Sequence, residues 1–302
     1  MDLPDDDRGA GVPPLPEGAG NGASAGGRES NVPRDLDGVP DGAEAPADGS
    51  VGPEFDLSNV LRSWPAGGNG PTVRMVRLAS GGRAIQVRLE LGILQMALEG
   101  RPDGRRPHGS DSLLDWHAAR RDAHRTRTGG DEGFELSGKD CEGLREEGVQ
   151  VYHRYVALFA LGEHEAVVRD TMRNLRMFDL CRDHGASHAD RTVLEQYRPF
   201  VVMMRARAQA AIALAVADAR GALAAVDAAL AEMRLHFDAH GPHDGFDRSN
   251  EANLLRGMRD ALVPRLPTSQ RSELEERLRR AVDAENFELA AILRDELRSL
   301  ED

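Results

Sequence analysis

Two cysteines and two nearby histidines are the residues whose types could bind a metal ion. Cys181, His184 and His188 lie within eight residues of one another, and Cys141 would complete a set of four zinc ligands. Gly185 interrupts the helix that would place both histidines on one face, and Cys141 is distant in the sequence. The pattern therefore favours surface or loop histidines, and we predict no metal site, no cofactor and no catalytic residue.

A second group of histidines lies further along the chain. His236, His240 and His243 come near a Gly-Pro pair, which predicts a helix end followed by a loop, where histidine interacts well with the helix dipole. Glu195 is expected on a helix surface and Tyr197 in the core. No Ser, His and Asp residues stand in the context of a known catalytic motif.

The segment 101–127 could meet a phosphate backbone or an acidic partner, because it holds seven Arg and four Asp. Its candidate basic patch comprises Arg101, Arg105, Arg106, Arg120 and Arg121. The alternative is an ordinary solvated surface, which the scarcity of aromatic stacking groups favours. The Gly-rich stretch 100–109 is not a phosphate-binding loop, since it lacks the required spacing and lysine.

The composition sets the broad class of the protein. The chain has 302 residues and a formal net charge of −13, which argues against a general attraction to DNA or anionic membranes. Residues 1–53 are rich in Gly, Pro and acidic residues, so we predict a disordered acidic tail there. Two cysteines fit a reducing cytoplasm, and no apolar stretch reaches the length of a membrane span.

A small β element and a turn-rich connector are predicted over 54–109. Residues 85–91 alternate between apolar and polar, which predicts a half-buried strand. Residues 73–78 form a second apolar run, and the glycines between the two runs predict a β-hairpin. Residues 93–98 are apolar but out of phase, which predicts a bulge at Gly92.

Residues 110–263 predict a helical domain, and the fold class is mainly α with an antiparallel array of helical hairpins. Ser112, followed three residues later by Asp115, predicts a helix start. Breaks near Gly162 and Gly221 separate paired helices. Fourteen of the 26 residues in 206–231 are Ala, which permits close helix packing. The helix pairs resemble tetratricopeptide repeats, although their spacing differs from that repeat.

The last segment, 268–302, predicts two short amphipathic helices folded back on each other. Its pattern consists of Leu274, Leu278, Ala281, Val282, Glu285, Phe287, Glu288, Ala290, Ala291, Leu293, Arg294, Asp295, Leu297 and Leu300. This pattern resembles the UVR motif of excinuclease subunits B and C and of some protein-arginine-kinase activators. Uncharacterised bacterial proteins that end in a UVR motif also resemble the chain over the β element and connector.

The resemblance implies a protein–protein contact, with another such hairpin or with a partner domain. The residues that would make it are Leu274, Leu278, Ala281, Phe287, Ala290, Ala291, Leu293, Arg294, Leu297 and Leu300. Helicase motifs, nuclease carboxylates and zinc-binding Cys pairs of the relatives are missing. We therefore expect a non-catalytic adaptor that docks through this hairpin or associates with itself. The alternatives are an accessory DNA-repair or nucleic-acid-associated factor, and, from the Cys and His residues alone, a metal-dependent enzyme.

Overall fold

The structure, a computed structural model, describes residues 56–64, 72–242, 244–263, 270–283 and 289–294. The predicted tail over 1–53 lies outside these residues. The described residues divide into two compact units, of which the smaller contains 56–64 and 88–93, and the larger contains 72–87 and the described residues from 94 onwards. The predicted domain borders at 53, 109 and 263 stay a prediction.

The smaller unit contains one described helix, α1 (Ser58–Ser63). Asp56 accepts a hydrogen bond from the backbone N–H of Ser58 at 2.8 Å, which satisfies a donor at the helix start. The guanidinium of Arg88 donates to the backbone oxygens of Trp64, at 2.6 Å, and of Gly92, at 3.0 Å. A single side chain thus links the end of the α1 segment to the second part of this unit.

Three strands form an antiparallel sheet in the order β1-β2-β3. They are β1 (Val73–Arg77), β2 (Arg83–Leu89) and β3 (Gly92–Ala97). The predicted hairpin is present as β1 and β2, and Gly81 takes the positive φ of 87° that its turn requires. The bulge predicted at Gly92 is wrong, because a turn at 90–91 reverses the chain and the out-of-phase run is a third strand.

The larger unit is mainly helical, as predicted. Its helices are α2 (Leu113–Thr128), α3 (Gly138–Ala160), α4 (His164–His184), α5 (His188–Thr192), α6 (Arg198–Ala215), α7 (Ala219–His240), α8 (Gly245–Arg248), α9 (Asn250–Leu262) and α10 (Gln270–Asp283), followed by a helical segment over 289–294. Short 3₁₀ turns occupy Pro107–Gly109 and Glu195–Tyr197. Helix α3 packs against α4, α4 against α6, α6 against α7, and α7 against α9.

Serine caps begin several of these helices. Ser112 precedes α2 as predicted, and its hydroxyl accepts the backbone N–H of Asp115 at 3.0 Å. A full capping box, which the sequence reasoning missed, begins α3: the Ser137 hydroxyl accepts from the Asp140 N–H, and the Asp140 carboxylate accepts from the Ser137 N–H. Such caps satisfy N–H groups that have no partner inside the helix.

Small residues let the central helices approach each other closely. Ala206, Ala208 and Ala210 of α6 are fully buried, and Ala222 and Ala229 of α7 are at most 2 % exposed. The main core includes buried residues of β2, β3, α2, α3, α4 and α6 to α9. No helix in the described part of the chain is both long and apolar enough to cross a membrane.

Candidate functional site

The carboxylate of Glu147 joins three parts of the larger unit. It lies on α3 with 1 % of the residue exposed and accepts the backbone N–H groups of Leu113 (2.8 Å) and Leu114 (3.3 Å) at the start of α2. Arg173 of α4 donates to it, and Nη1 of Arg101 donates at 3.4 Å from the connector, the segment 98–112. Since helix starts carry free N–H donors and partial positive charge, this carboxylate fixes α2 against α3 and α4.

A second buried carboxylate, Asp170 of α4, is held by two arginines. Arg154 of α3 binds it through two hydrogen bonds of 2.6 and 3.0 Å, and each of these two residues is at most 1 % exposed. Arg169 adds a third hydrogen bond at 3.0 Å. Nη1 of Arg154 also donates to the backbone oxygens of Ala97 (3.1 Å) and Gly100 (2.8 Å). The pair therefore attaches the end of β3 and the connector to the helices.

A cleft of about 740 Å³ lies between the connector, α3 and α4. We call it the arginine cleft because its lining contains seven arginines: Arg101, Arg105, Arg106, Arg154, Arg169, Arg173 and Arg176. Four acidic residues share the lining: Glu99, Asp111, Asp115 and Asp170. No aromatic side chain is among the residues that line it in the described part of the chain.

The arginines of the cleft differ in how far their donors are occupied. Arg101 pairs with Asp103 at 2.9 Å, and Arg106 pairs with Asp111 at 2.8 Å. Within the described residues, the guanidinium groups of Arg105 and Arg176 form no ion pair or hydrogen bond. Nη1 of Arg173 is buried and has no hydrogen-bond partner there either. Residues that line the cleft thus carry donors without a partner among the described residues.

Three of the cleft arginines belong to α4 and were not predicted. Arg169, Arg173 and Arg176 follow one another at i, i+4 and i+7, so they lie along one face of the helix. That spacing is visible in the sequence, but it is also the pattern of a solvated helix face. Only the fold shows that the stripe faces a concave surface.

The predicted basic patch is divided by the structure. Its first three members, Arg101, Arg105 and Arg106, line the arginine cleft. Arg120 stacks over the Trp116 ring at 4.8 Å, and Arg121 pairs with Asp122 at 2.9 Å. Neither of these α2 residues lines the cleft, so the five arginines are not brought together in one surface.

The cysteines and histidines of the first candidate metal set are also separated. Cys141 and Cys181 are both buried in the core, where the interaction between the two thiols lowers the pKa of Cys141 and raises the pKa of Cys181. His184 ends α4 and His188 begins α5. These four residues do not form one group of metal ligands in the described part of the chain.

Glu195, His236 and His240 are the residues that the fold does bring within ligand distance of one another. One donor atom from each lies within 4.8 Å of the others. The expectation that Glu195 is a surface residue is wrong, since it is 5 % exposed. The burial is possible because Arg198 donates to both carboxylate oxygens, at 2.7 and 2.8 Å.

The electrostatics of this cluster favour an ion pair over a metal site. Burial opposes ionisation of Glu195, but the hydrogen bonds and charge of Arg198 outweigh it, so the pKa of Glu195 is lowered. Burial lowers the pKa of His236, which keeps its ring neutral at pH 7. A metal ion would have to share the carboxylate with a guanidinium cation, which repels it.

The C-terminal helices have a small core of their own. Ala281, Ala290 and Leu293 are at most 9 % exposed and pack with Leu278 in a cluster separate from the main core. Leu274 lies on α10, and Ala291 and Arg294 are exposed on the second helical segment. Phe287, Leu297 and Leu300 lie outside the described residues. The two segments fit a helical hairpin, as predicted.

Apolar side chains also lie on the outside of this hairpin. Val282 is 49 % exposed, Leu289 39 % and Ile292 54 %. The sequence pattern did not separate these residues from those that fill the hairpin core, because both groups are apolar at helical spacing. Contact between the predicted partner-binding residues and a partner stays a prediction.

Comparison with known proteins agrees with the C-terminal geometry. A protein-family model described as the UvrB/uvrC motif, UVR, matches residues 268–302. Searches of the curated proteins and of the solved structures found no match. The chain therefore carries a UVR motif over its C-terminal segment.

Proposed function

We propose that this protein is a non-catalytic adaptor that docks onto a protein partner through its C-terminal UVR hairpin. The observation that carries the proposal is the match of residues 268–302 to the UVR family model. The separate core of the hairpin supports it, since Ala281 and Leu293 pack in a cluster apart from the main core. A segment that packs by itself is suited to act as a docking element of a cytoplasmic scaffold.

The docking face is assigned to the exposed side of the hairpin. Val282, Leu289 and Ile292 present apolar area to solvent, and covering such area drives most protein association. Ala281, Ala290 and Leu293 instead hold the two helices together. Changes at the buried residues therefore test the folding of the hairpin, and changes at the exposed residues test docking.

The test is affinity capture of proteins from a cell lysate by the full chain and by a variant that carries both Val282→Asp and Ile292→Asp. We expect the variant to lose the proteins that the full chain captures specifically, because two charges would have to be buried in the interface. Leu235→Asp on α7 is the matched control, since Leu235 is 71 % exposed and lies elsewhere. Capture that is equal for all three proteins would contradict the proposal.

Self-association is distinguished by measuring mass in solution. Sedimentation velocity of the full chain and of the same two variants shows whether a dimer forms and whether it needs the hairpin face. A dimer that is lost with Val282→Asp and Ile292→Asp identifies a second copy as the partner. A dimer that persists places self-association on another surface.

The buried acids support a non-catalytic role. Glu147, Asp170 and Glu195 are each held by arginine donors within the protein, so their oxygens are engaged in structural bonds. A general acid or base needs a carboxylate that can exchange a proton with a substrate.

The alternative is an accessory factor in DNA repair that binds nucleic acid. It predicts binding that weakens steeply as salt concentration rises. Arg101, Arg106 and Arg121 already pair with carboxylates, which favours the adaptor role. No binding of single- or double-stranded DNA at low salt would exclude this alternative.

A further inference from the structure

We propose that the arginine cleft binds the phosphate group of a small phosphorylated molecule. The proposal concerns the larger unit and is independent of docking by the hairpin. Its starting point is the set of unused donors on Arg105, Arg173 and Arg176, all of which line the same cleft.

The buried Nη1 of Arg173 is the strongest single observation. Buried N–H groups in folded proteins nearly always have an acceptor, and leaving one without a partner is costly. Arg173 is positioned by its other bond to Glu147, and its side chain is 14 % exposed at the cleft. Nη1 itself is enclosed by protein, and because Arg173 lines the cleft, a rotation of its guanidinium toward the cleft would bring this N–H group to a ligand oxygen.

The neighbouring arginines extend the site beyond one donor. Arg176 lies one turn further along the same face of α4, and Arg105 lines the cleft from the connector. A guanidinium matches the geometry of phosphate oxygens and forms charge-assisted hydrogen bonds with them. The bonds of Glu147 and Asp170 hold the connector and α4 in place, so the backbone segments that carry these arginines are fixed before a ligand arrives.

The shape and lining of the cleft favour a small molecule over a polymer. A volume of about 740 Å³ lies within the usual range for small-molecule pockets. Single-stranded nucleic acids are bound on extended grooves with aromatic platforms, and no aromatic residue is among the described residues that line the cleft. Glu99, Asp111 and Asp115 also line the cleft, and their carboxylates can accept hydrogen bonds from the hydroxyl groups of a small ligand.

The shared chemistry of the ligand is a phosphoryl group, and its source is either free phosphate or a phosphate ester. Isothermal titration of the full chain with inorganic phosphate and with glycerol phosphate distinguishes the two. Tighter binding of glycerol phosphate identifies an ester as the ligand, and tighter binding of inorganic phosphate identifies the free anion. Either result supports a phosphoryl site if the measured affinity depends on the cleft arginines.

The variants Arg105→Gln and Arg176→Gln test whether the affinity depends on these arginines. Both side chains are exposed and lack partners among the described residues, so the fold should remain intact. Each change is expected to weaken binding about ten-fold or more, the effect of removing a charge-assisted hydrogen bond. Arg220→Gln is the matched control, because Arg220 is exposed on α7 outside the cleft.

Three results would overturn the proposal. The first is an absence of binding for both phosphate probes at millimolar concentration. The second is binding that survives the combined change of Arg105 and Arg176. The third is tighter binding of a DNA oligonucleotide or an acidic peptide, with the same dependence on these arginines, which would assign the cleft to a polymer.

Discussion

Replacing Asp170 by Asn tests the buried network that positions the arginine cleft. The substitution keeps the size of the side chain but removes the charge that faces Arg154. Asp170 and Arg154 are at most 1 % exposed, so water cannot replace the lost counter-ion. Removing one partner of a buried pair costs about 3–5 kcal/mol, and we expect a loss of that size in the free energy of unfolding.

The loss is measured by urea unfolding followed by circular dichroism, and by the melting temperature. For a protein of this size, 1 kcal/mol corresponds to about 2–4 °C, so a decrease of about 10 °C is expected. The matched control is Asp227→Asn, whose ion pair with Arg259 (2.7 Å) joins side chains that are 44 % and 45 % exposed. Such pairs contribute about 0–1 kcal/mol. Equal effects of the two substitutions would refute the reasoning.

Two further predictions concern stability. His117, His153 and His236 have pKa values lowered by burial; since the unfolded chain takes up protons first, stability should fall as pH decreases below about 6.5 and stay level above pH 7. Melting temperatures from pH 5 to 8 check this, and a flat profile would contradict it. Gly162→Ala should lower the stability of the protein by about 1 kcal/mol, because the φ of Gly162 is +75°. Gly257→Ala should raise it by up to about 1 kcal/mol, because Gly257 lies in a helix with open space around it. Urea midpoints that move in the same direction for both variants would refute these two explanations.

Much of the helical fold could be predicted because its causes are local. Apolar spacing, the Ala-rich segment and the Ser112 cap each act within a few turns of a helix. The third strand was missed for a related reason: at Gly92 a change of apolar phase has the same sequence signature whether the chain bulges or reverses. The turn at 90–91 is decided by pairing with β2, which the local pattern does not contain.

The candidate cleft could not be predicted, because its bonds join residues that are distant in sequence. Arg101 lies 46 residues from Glu147, and Arg154 lies 54 residues from Gly100. No short-range pattern marks these partners. Glu195 was assigned to the surface for a different reason. Its pair with Arg198 lies only three residues away and is visible in the sequence, but this spacing is also typical of an exposed ion pair on a helix.

The bonds of Arg154 also bear on the order in which the chain folds. Its partner Asp170 is 16 residues away, whereas its acceptor on Ala97 is 57 residues away. Closing the longer loop costs about 1 kcal/mol more in chain entropy than closing the shorter one. We therefore expect the α3–α4 hairpin to form first, and the end of β3 to attach afterwards to a guanidinium that Asp170 has already oriented. In that order, one buried arginine forms its short-range ion pair before its long-range bond to Ala97.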